Sequence, residues 1–540
     1  MGASLVKDRW LWLSLLAGGL ILSFTLWFNL TMDQSIHCYG AWVWKHYRLP
    51  PYLGAWDQNF PGIFIIHRVV LELFGESEVG FRLFDFTAQF SCLAMIYYLT
   101  KTLSGLRGGG FWAAICYSIF YYGLGSREAG DRETFIIWLL LICLVVSFAL
   151  EKRVWLKAIL VGMLLGFIFL VKPFYGLCWP VFGILFLVQG FRERPKRIWL
   201  ELSLFSLGCL VPSLLIIAYY WARGDLRELY RATLWYNFVI YSSWSEAPVN
   251  WLRLLWYVPF YSVMQEISIF IAGLVGLYPA LTMSRAAGQR RLCWTILALA
   301  LVAALAYLLQ GKFLDYQLAV FWGFWIIPVA VGIAWIGSGV DKIARGIPGR
   351  ILRPVFYLAV LAVLVKTSVG DDLVKFAWRY SFRSFDYAHL DVQGTRLDTH
   401  AASSFILAAR YLERNLRPGD EVEFFGPFPL LSYLLKKKLP SRFCCVHHLL
   451  FLSRGGKRPE LMQAWIEEYQ NDVIKARPRY FVICDEMIIG PTNFNFNFPA
   501  FGFKAALRND FPRLKDFVVR NYRPDSIFGP MEIYQWAGND

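Results

Sequence analysis

Ionisable residues are scarce in this chain, and the few that interrupt its apolar stretches are the ones whose chemistry needs an account. Asp33 follows the first apolar run, in Asn29-Leu30-Thr31-Met32-Asp33-Gln34. Ser126-Arg127-Glu128-Ala129-Gly130-Asp131-Arg132-Glu133 packs charges of both signs into one short segment. Lys172-Pro173 and Lys312, the latter in Gln310-Gly311-Lys312-Phe313-Leu314-Asp315-Tyr316-Gln317, are single cations in apolar surroundings. Ionisable groups near membrane depth are costly and tend to be functional. An acid there could take a proton, the mixed segment could clamp a phosphate or hold a metal, and the two lysines could meet an anion as point charges. Each also has a plainer reading: an interfacial acid closing a helix, a self-neutralised loop, and a lysine that snorkels to the headgroups.

Long apolar runs position these residues. Of 540 residues, 57% are hydrophobic, 18% aromatic and only 17% charged, against roughly 25% charge in soluble domains. Runs of this length cross about 30 Å of hydrocarbon as helices. This predicts a polytopic α-helical membrane protein with about 11 transmembrane helices, near 10–30, 82–100, 109–125, 133–150, 155–171, 174–190, 199–221, 258–282, 292–310, 315–336 and 354–370. The first run lacks a small-x-small cleavage site at Phe28-Asn29-Leu30-Thr31 and reads as an anchor.

Basic residues such as Lys7, Lys101, Lys152, Arg192, Arg290 and Arg350 gather in alternate loops, which puts the N-terminus in the cytoplasm. Asp33, Asp57, Glu76, Asp131, Glu133 and all seven histidines then fall on the outer side. The net charge of +15 belongs mostly to the membrane part. It reads as orientation and headgroup charge, with no nucleic-acid partner.

Two domains follow: a transmembrane part over 1–370 and an extracytoplasmic α/β domain over 371–540. Within the first, residues 31–81 form a loop too long for a connector, with an interfacial helix marked by Ile63, Ile66, Val70 and Phe74. In the second, helices at 401–416, 428–436 and 460–476 alternate with strands at 421–425, 442–446, 480–484 and 531–536, as in a three-layer domain. Residues 493–498 read as a loop, and the aromatics of 235–244 as an interfacial belt. Six of the ten cysteines lie in spans as small apolar residues. Cys444 or Cys445 could pair with Cys484 in an oxidising compartment, or stay free. Cys444-Cys445-Val446-His447-His448 lacks a second ligand pair at zinc spacing.

Taken in order, these residues resemble the GT-C superfamily of integral membrane glycosyltransferases, and within it glycosyltransferase family 39, which includes protein O-mannosyltransferases and the lipid A aminoarabinose transferase. The matching pieces are Asp33, the Trp56 to Gly62 and Phe74-Gly75-Glu76-Ser77…Arg82-Leu83 stretches, Gly130-Asp131-Arg132-Glu133, Lys172-Pro173, Gly311-Lys312-Phe313…Tyr316, and the terminal α/β domain. The resemblance covers essentially the whole chain. It implies a sugar donor on a polyprenyl phosphate and transfer at the outer face of a membrane, normally with inversion, to a glycan, lipid or protein acceptor. It also implies a bacterial inner membrane as the location.

By that match Asp33 is the general base, or orients the acceptor. Asp131, Arg132 and Glu133 position donor or acceptor. Lys172 and Lys312 neutralise the leaving lipid phosphate, and Tyr316 and Gln317 border the ligand. A divalent cation, Mg or Mn, could sit on Asp33, Asp131 and Glu133. Gln34 departs from the Asp-Glu of many relatives and puts obligate metal binding in doubt, and Gln317 stands where some relatives carry His. A flippase for lipid-linked sugars is the alternative, but the sequence shows neither internal repeats nor midplane charges. A non-catalytic scaffold would leave Asp33 and the lysines without a purpose.

Overall fold

The computed structural model describes residues 7–150, 153–193, 195–242, 266–284, 286–312, 314–343, 347–366, 401–453, 456–485 and 502–538. Among these, eight helices are long and apolar enough to cross a membrane, from Arg9–Trp27 to Tyr316–Val340. Helices Arg107–Gly123, Ile267–Met283 and Ile347–Lys366 occupy the other three expected positions. The chain is an integral membrane protein. The first part of the expected 258–282 span, the 493–498 run, His389 and His400 lie outside the described residues.

By contact the chain divides into two compact units. The first joins residues 1–28, 82–216 and 250–383, the second 29–81, 217–249 and 384–540. The long first loop, grouped by sequence with the membrane part, therefore clusters with the C-terminal α/β residues.

In the first unit, small residues let helix backbones approach. Gly276 of Ile267–Met283 lies so close to the Pro328 carbonyl of Ala319–Ile343 that a Cβ would collide with backbone. Without a hydrophobic drive between helices in lipid, such close packing is a main source of association.

The second unit is built on a four-stranded sheet. Its strands are β1 (Val422–Phe425), β2 (Tyr480–Cys484), β3 (Tyr522–Phe528) and β4 (Met531–Trp536), in spatial order β1-β2-β4-β3. The β1–β2 pair is parallel and the other two are antiparallel. Strand alternation sends Phe424 to one face, against Phe405 of helix Ala401–Asn415. Its neighbour Phe425 goes to the other, against Tyr469 of helix Glu460–Ala476 and Phe503 and Phe511 beyond it. These are the expected three layers.

Three local expectations need correction. Residues 442–446 are irregular, because their backbone bonds elsewhere: Trp56 N–H donates to the Arg442 carbonyl at 2.7 Å, and Val446 N–H to that of Gly426 at 3.1 Å. The fourth strand is β3, masked in sequence by Pro524, which an edge strand tolerates and which sits at a register shift between Pro524 and Ser526. The described part of the 235–244 aromatic stretch is only partly an exposed belt: Phe238 is exposed, but Tyr236 packs inside. Tyr236 is buried, its hydroxyl donates to the His448 carbonyl at 2.8 Å, and its ring meets Trp56 edge-on at 4.8 Å.

Candidate functional site

In the first unit, the site is assembled on the N-terminus of helix Arg132–Ala149. Gly130 takes a φ of 82°, a left-handed turn that favours glycine and brings the chain round into the helix. Asp131 is the N-cap residue, and its carbonyl accepts from the Thr134 hydroxyl at 2.7 Å. Arg132 and Glu133 fill the first turn, where backbone N–H groups have no intrahelical partner and favour negative charge.

A residue to which sequence reading gave no role holds this turn in place. Arg82 is buried, and its guanidinium donates to three carbonyls: Phe28 at 2.9 Å, Ala129 at 2.7 Å and Ser126 at 3.2 Å. Asp85 stands 3.9 Å from it and accepts from the Tyr121 hydroxyl at 2.6 Å. The planar fork thus ties the end of the first span to the charged loop. The signal in sequence was a lone arginine at the head of an apolar run, the kind of group that must find partners to be buried at all.

Glu133 and Lys172 are both buried and form a direct ion pair. Lys172 reaches it because helix Val154–Val171 ends there and Pro173 begins a new short turn. The ammonium also lies 5.7 Å from the centre of the Tyr316 ring. Burial pulls the Lys172 pKa down, while Glu133 and Asp131 oppose that and Arg132 adds to it, so all four charges act on one another. Asp131 and Arg132 approach to 3.7 Å. The structure therefore brings Asp131, Arg132, Glu133, Lys172 and Tyr316 together. Lys312, after the left-handed cap Gly311, is also buried, and burial pushes its ammonium down to about 7.

Buried polar atoms in this region that make no hydrogen bond among the described residues include the second Glu133 oxygen, the Tyr175 hydroxyl and the Gln317 side-chain oxygen. Leaving such groups unsatisfied is costly, and each one asks for an explanation such as a bound ligand. Tyr175, which sequence reading passed over, follows Lys172 in the short turn Pro173–Leu177 and feels the charge of Glu133.

In the second unit, Asp33 opens a helix rather than closing one. The first helix ends near Trp27, and Asp33 stands in the first turn of Met32–Tyr47. Gln34 has a structural role there: its side-chain oxygen accepts from Thr31 N–H at 3.2 Å, as a capping box requires. An amide does this as well as a carboxylate, so the departure from Asp-Glu costs the helix nothing. Asp57, His37, Asn59 and His448 make a buried polar cluster nearby in the same unit. Asn59 donates to Asp57 at 2.7 Å, and the His37 and His448 rings stand 3.9 and 3.7 Å from it. Burial holds His447 down to about 4 and His448 well below its usual value, so both are neutral imidazoles.

Among the described residues, no group of three or more His, Cys, Asp or Glu is placed to bind a metal ion. Glu133 faces Lys172 and Asp131 faces Arg132, so these carboxylates already meet cations. All ten cysteines are buried, and none of them is in a disulfide among the described residues.

Comparison with known proteins bears on the fold. Residues 58–221 match the family model for dolichyl-phosphate-mannose-protein mannosyltransferase. No curated protein matches at the level of sequence. ArnT of Cupriavidus metallidurans, solved bound to undecaprenyl phosphate, superposes with a TM-score of 0.57 at 12% identity over 98% of each chain. The Archaeoglobus fulgidus oligosaccharyltransferase tethered to an acceptor peptide gives 0.51 at 10% identity, over 99% of this chain and 75% of that one. The same organism's AglB, in complex with an inhibitory peptide and a dolichol phosphate, gives 0.50 at 10% identity, over 89% and 70%. This membrane protein thus shares the fold of these solved structures.

Proposed function

We propose that this protein transfers a sugar from a polyprenyl-phosphate donor to an acceptor at the outer face of a membrane, with inversion at the anomeric carbon. One observation carries the reading most directly. A buried Glu133–Lys172 pair, with the Tyr316 ring, the Arg132 charge and the partnerless Tyr175 hydroxyl beside it, stands where membrane helices end. That is the place and the chemistry a lipid-borne phosphate sugar requires. The undecaprenyl and dolichol phosphates of the ArnT and AglB structures support the same donor class.

In this reading the Asp33 carboxylate takes the proton of the acceptor hydroxyl or amine. The acceptor atom bonds to the anomeric carbon as the carbon–oxygen bond to phosphate breaks. The electron pair leaves with the lipid phosphate, which gains a second negative charge. Lys172, Lys312 and Arg132 neutralise that charge as it develops, when preorganised donors contribute most. Glu133 holds Lys172 in position and accepts from the sugar hydroxyls. The distribution of basic residues among the loops supports a cytoplasmic N-terminus and an outer α/β domain; the family resemblance alone suggests a bacterial inner membrane.

The test is to incubate purified protein, and separately Asp33→Asn, with lipid extract and follow polyprenyl-phosphate sugars by mass spectrometry. Wild type should consume one donor and release the lipid phosphate, and Asp33→Asn should bind donor yet transfer nothing. Full activity in Asp33→Asn would remove that residue from the mechanism. No donor consumed, with inner-leaflet donor appearing outside sealed vesicles, would turn the reading to a flippase.

A further inference from the structure

A polar cleft lies wholly within the second unit. It has a volume of about 1020 Å³ and is walled by the turn before β1, the loop after helix Leu430–Leu435, and the end of helix Glu460–Ala476. Pockets for sizeable ligands span roughly 300–1,000 Å³, so this one has room for several sugar rings.

Its lining is strongly basic. Arg417, Lys437, Lys438, Lys475, Arg477 and Arg479 all face it. None of these six makes an ion pair with a carboxylate among the described residues. What they do hold is backbone: Lys437 donates to the Asp420 carbonyl at 3.0 Å and Lys438 to that of Leu439 at 3.2 Å. The walls are fixed by main-chain bonds, with Arg479 N–H donating to Glu421 at 2.8 Å and Trp536 N–H to Arg479 at 2.9 Å. Six cations against three lining carboxylates, Asp420, Glu421 and Asp472, leave the cleft net positive, a field that gathers negative ligands.

Other lining residues narrow the ligand. Asp420, Glu421 and Asp472 are carboxylates that can accept from hydroxyls, and Tyr47 and Trp536 offer aromatic faces. A surface for lipid headgroups needs cations alone. Cations, carboxylates and an indole together suit a sugar chain with anionic substituents.

We infer that this cleft binds an anionic glycan, the acceptor or an extension of it, through phosphate or carboxylate groups on its sugars. The inference deepens the transferase reading and rests on it for the word acceptor. Binding through this cleft would hold the acceptor chain by its charged substituents and leave its reactive end free.

The experiment is a titration of the full-length protein in neutral nanodiscs with fluorescent phosphorylated maltoheptaose, beside the unphosphorylated form. The triple variant Arg417→Gln, Lys475→Glu, Arg479→Gln removes or reverses cleft charge at exposed or half-exposed positions. Binding should favour the phosphorylated sugar, weaken with salt, and fall at least about tenfold in the triple variant. Binding of undecaprenyl phosphate should be unchanged in that variant, which also reports that it is folded. Equal binding of the neutral sugar, or an unchanged affinity in the variant, overturns the proposal. So does preferential binding to phosphatidylglycerol vesicles lost in the same variant, since the cleft would then be a headgroup site. A wild type that holds the phosphorylated sugar but no polyprenyl phosphate supports the cleft and undoes the transferase reading.

Discussion

The clearest physical consequence of the site lies in Lys312. Burial alone pushes its ammonium down to about 7, so in the free protein it is half protonated near neutral pH. A bound phosphodiester would stabilise the charged form and return it toward its ordinary 10.5. Donor binding must then take up a proton wherever the free lysine is neutral. With a free-state value of about 7, the apparent Kd should be nearly constant below pH 6 and rise about a hundredfold by pH 9, roughly 2.7 kcal/mol. At pH 8 about 0.9 proton should be taken up per donor bound. The donor's own phosphate is a diester and keeps one charge throughout, so it adds no titration of its own. Calorimetry with a short-chain polyprenyl phosphodiester, in buffers of different ionisation enthalpy, measures both quantities. Lys312→Arg, charged at every pH used, should bind with a flat profile, and Lys312→Met should bind weakly and flatly. A wild-type affinity that does not change between pH 6 and 9, or a Lys312→Met variant that keeps the wild-type profile, would refute the placement of this lysine at the phosphate.

Other perturbations have equally definite outcomes. Lys172→Met leaves the Glu133 carboxylate buried without its partner and should cost about 3–5 kcal/mol of stability; the double variant with Glu133→Gln should recover much of it, both read by thermal unfolding in detergent. Arg82→Lys cannot span three carbonyls and should lower the melting temperature and abolish donor binding together, because the charged turn loses its anchor; donor binding at wild-type strength would show that the turn stands without it. Glu423 is buried on β1, accepts from Tyr469 at 2.6 Å, and is pushed up from 4.5 to about 8 by burial. Its folded form therefore keeps a proton that the unfolded chain releases, so its contribution to stability is present below about pH 4.5 and lost as pH rises through 8. Glu423→Gln should flatten that part of the stability–pH profile in chemical denaturation.

The helical membrane architecture was legible because lipid leaves a chain few choices. Every backbone polar group must be satisfied within the helix, so composition and run length alone locate the spans, and all eleven expected positions hold a helix in the described residues. Asp131, Arg132, Glu133 and Lys172 also stood out, since ionisable residues beside apolar runs are conspicuous, while Tyr316 came only from the family resemblance. Contacts made across sequence distance were not legible. Nothing in the sequence joins Glu133 to Lys172, or Arg82 to the carbonyls of Ser126 and Ala129, because a hydrogen-bonding partner leaves no periodic trace. The strand β3 was hidden by its proline, and 442–446 looked like a strand because apolar residues dominate it. The first loop's union with the C-terminal sheet residues, through bonds such as Leu439 N–H to the Tyr39 hydroxyl at 2.8 Å, is likewise a tertiary decision. Solvent and lipid act on residues one at a time and so write themselves into sequence; pairing between distant groups depends on where the backbone carries them, and only the folded chain fixes that.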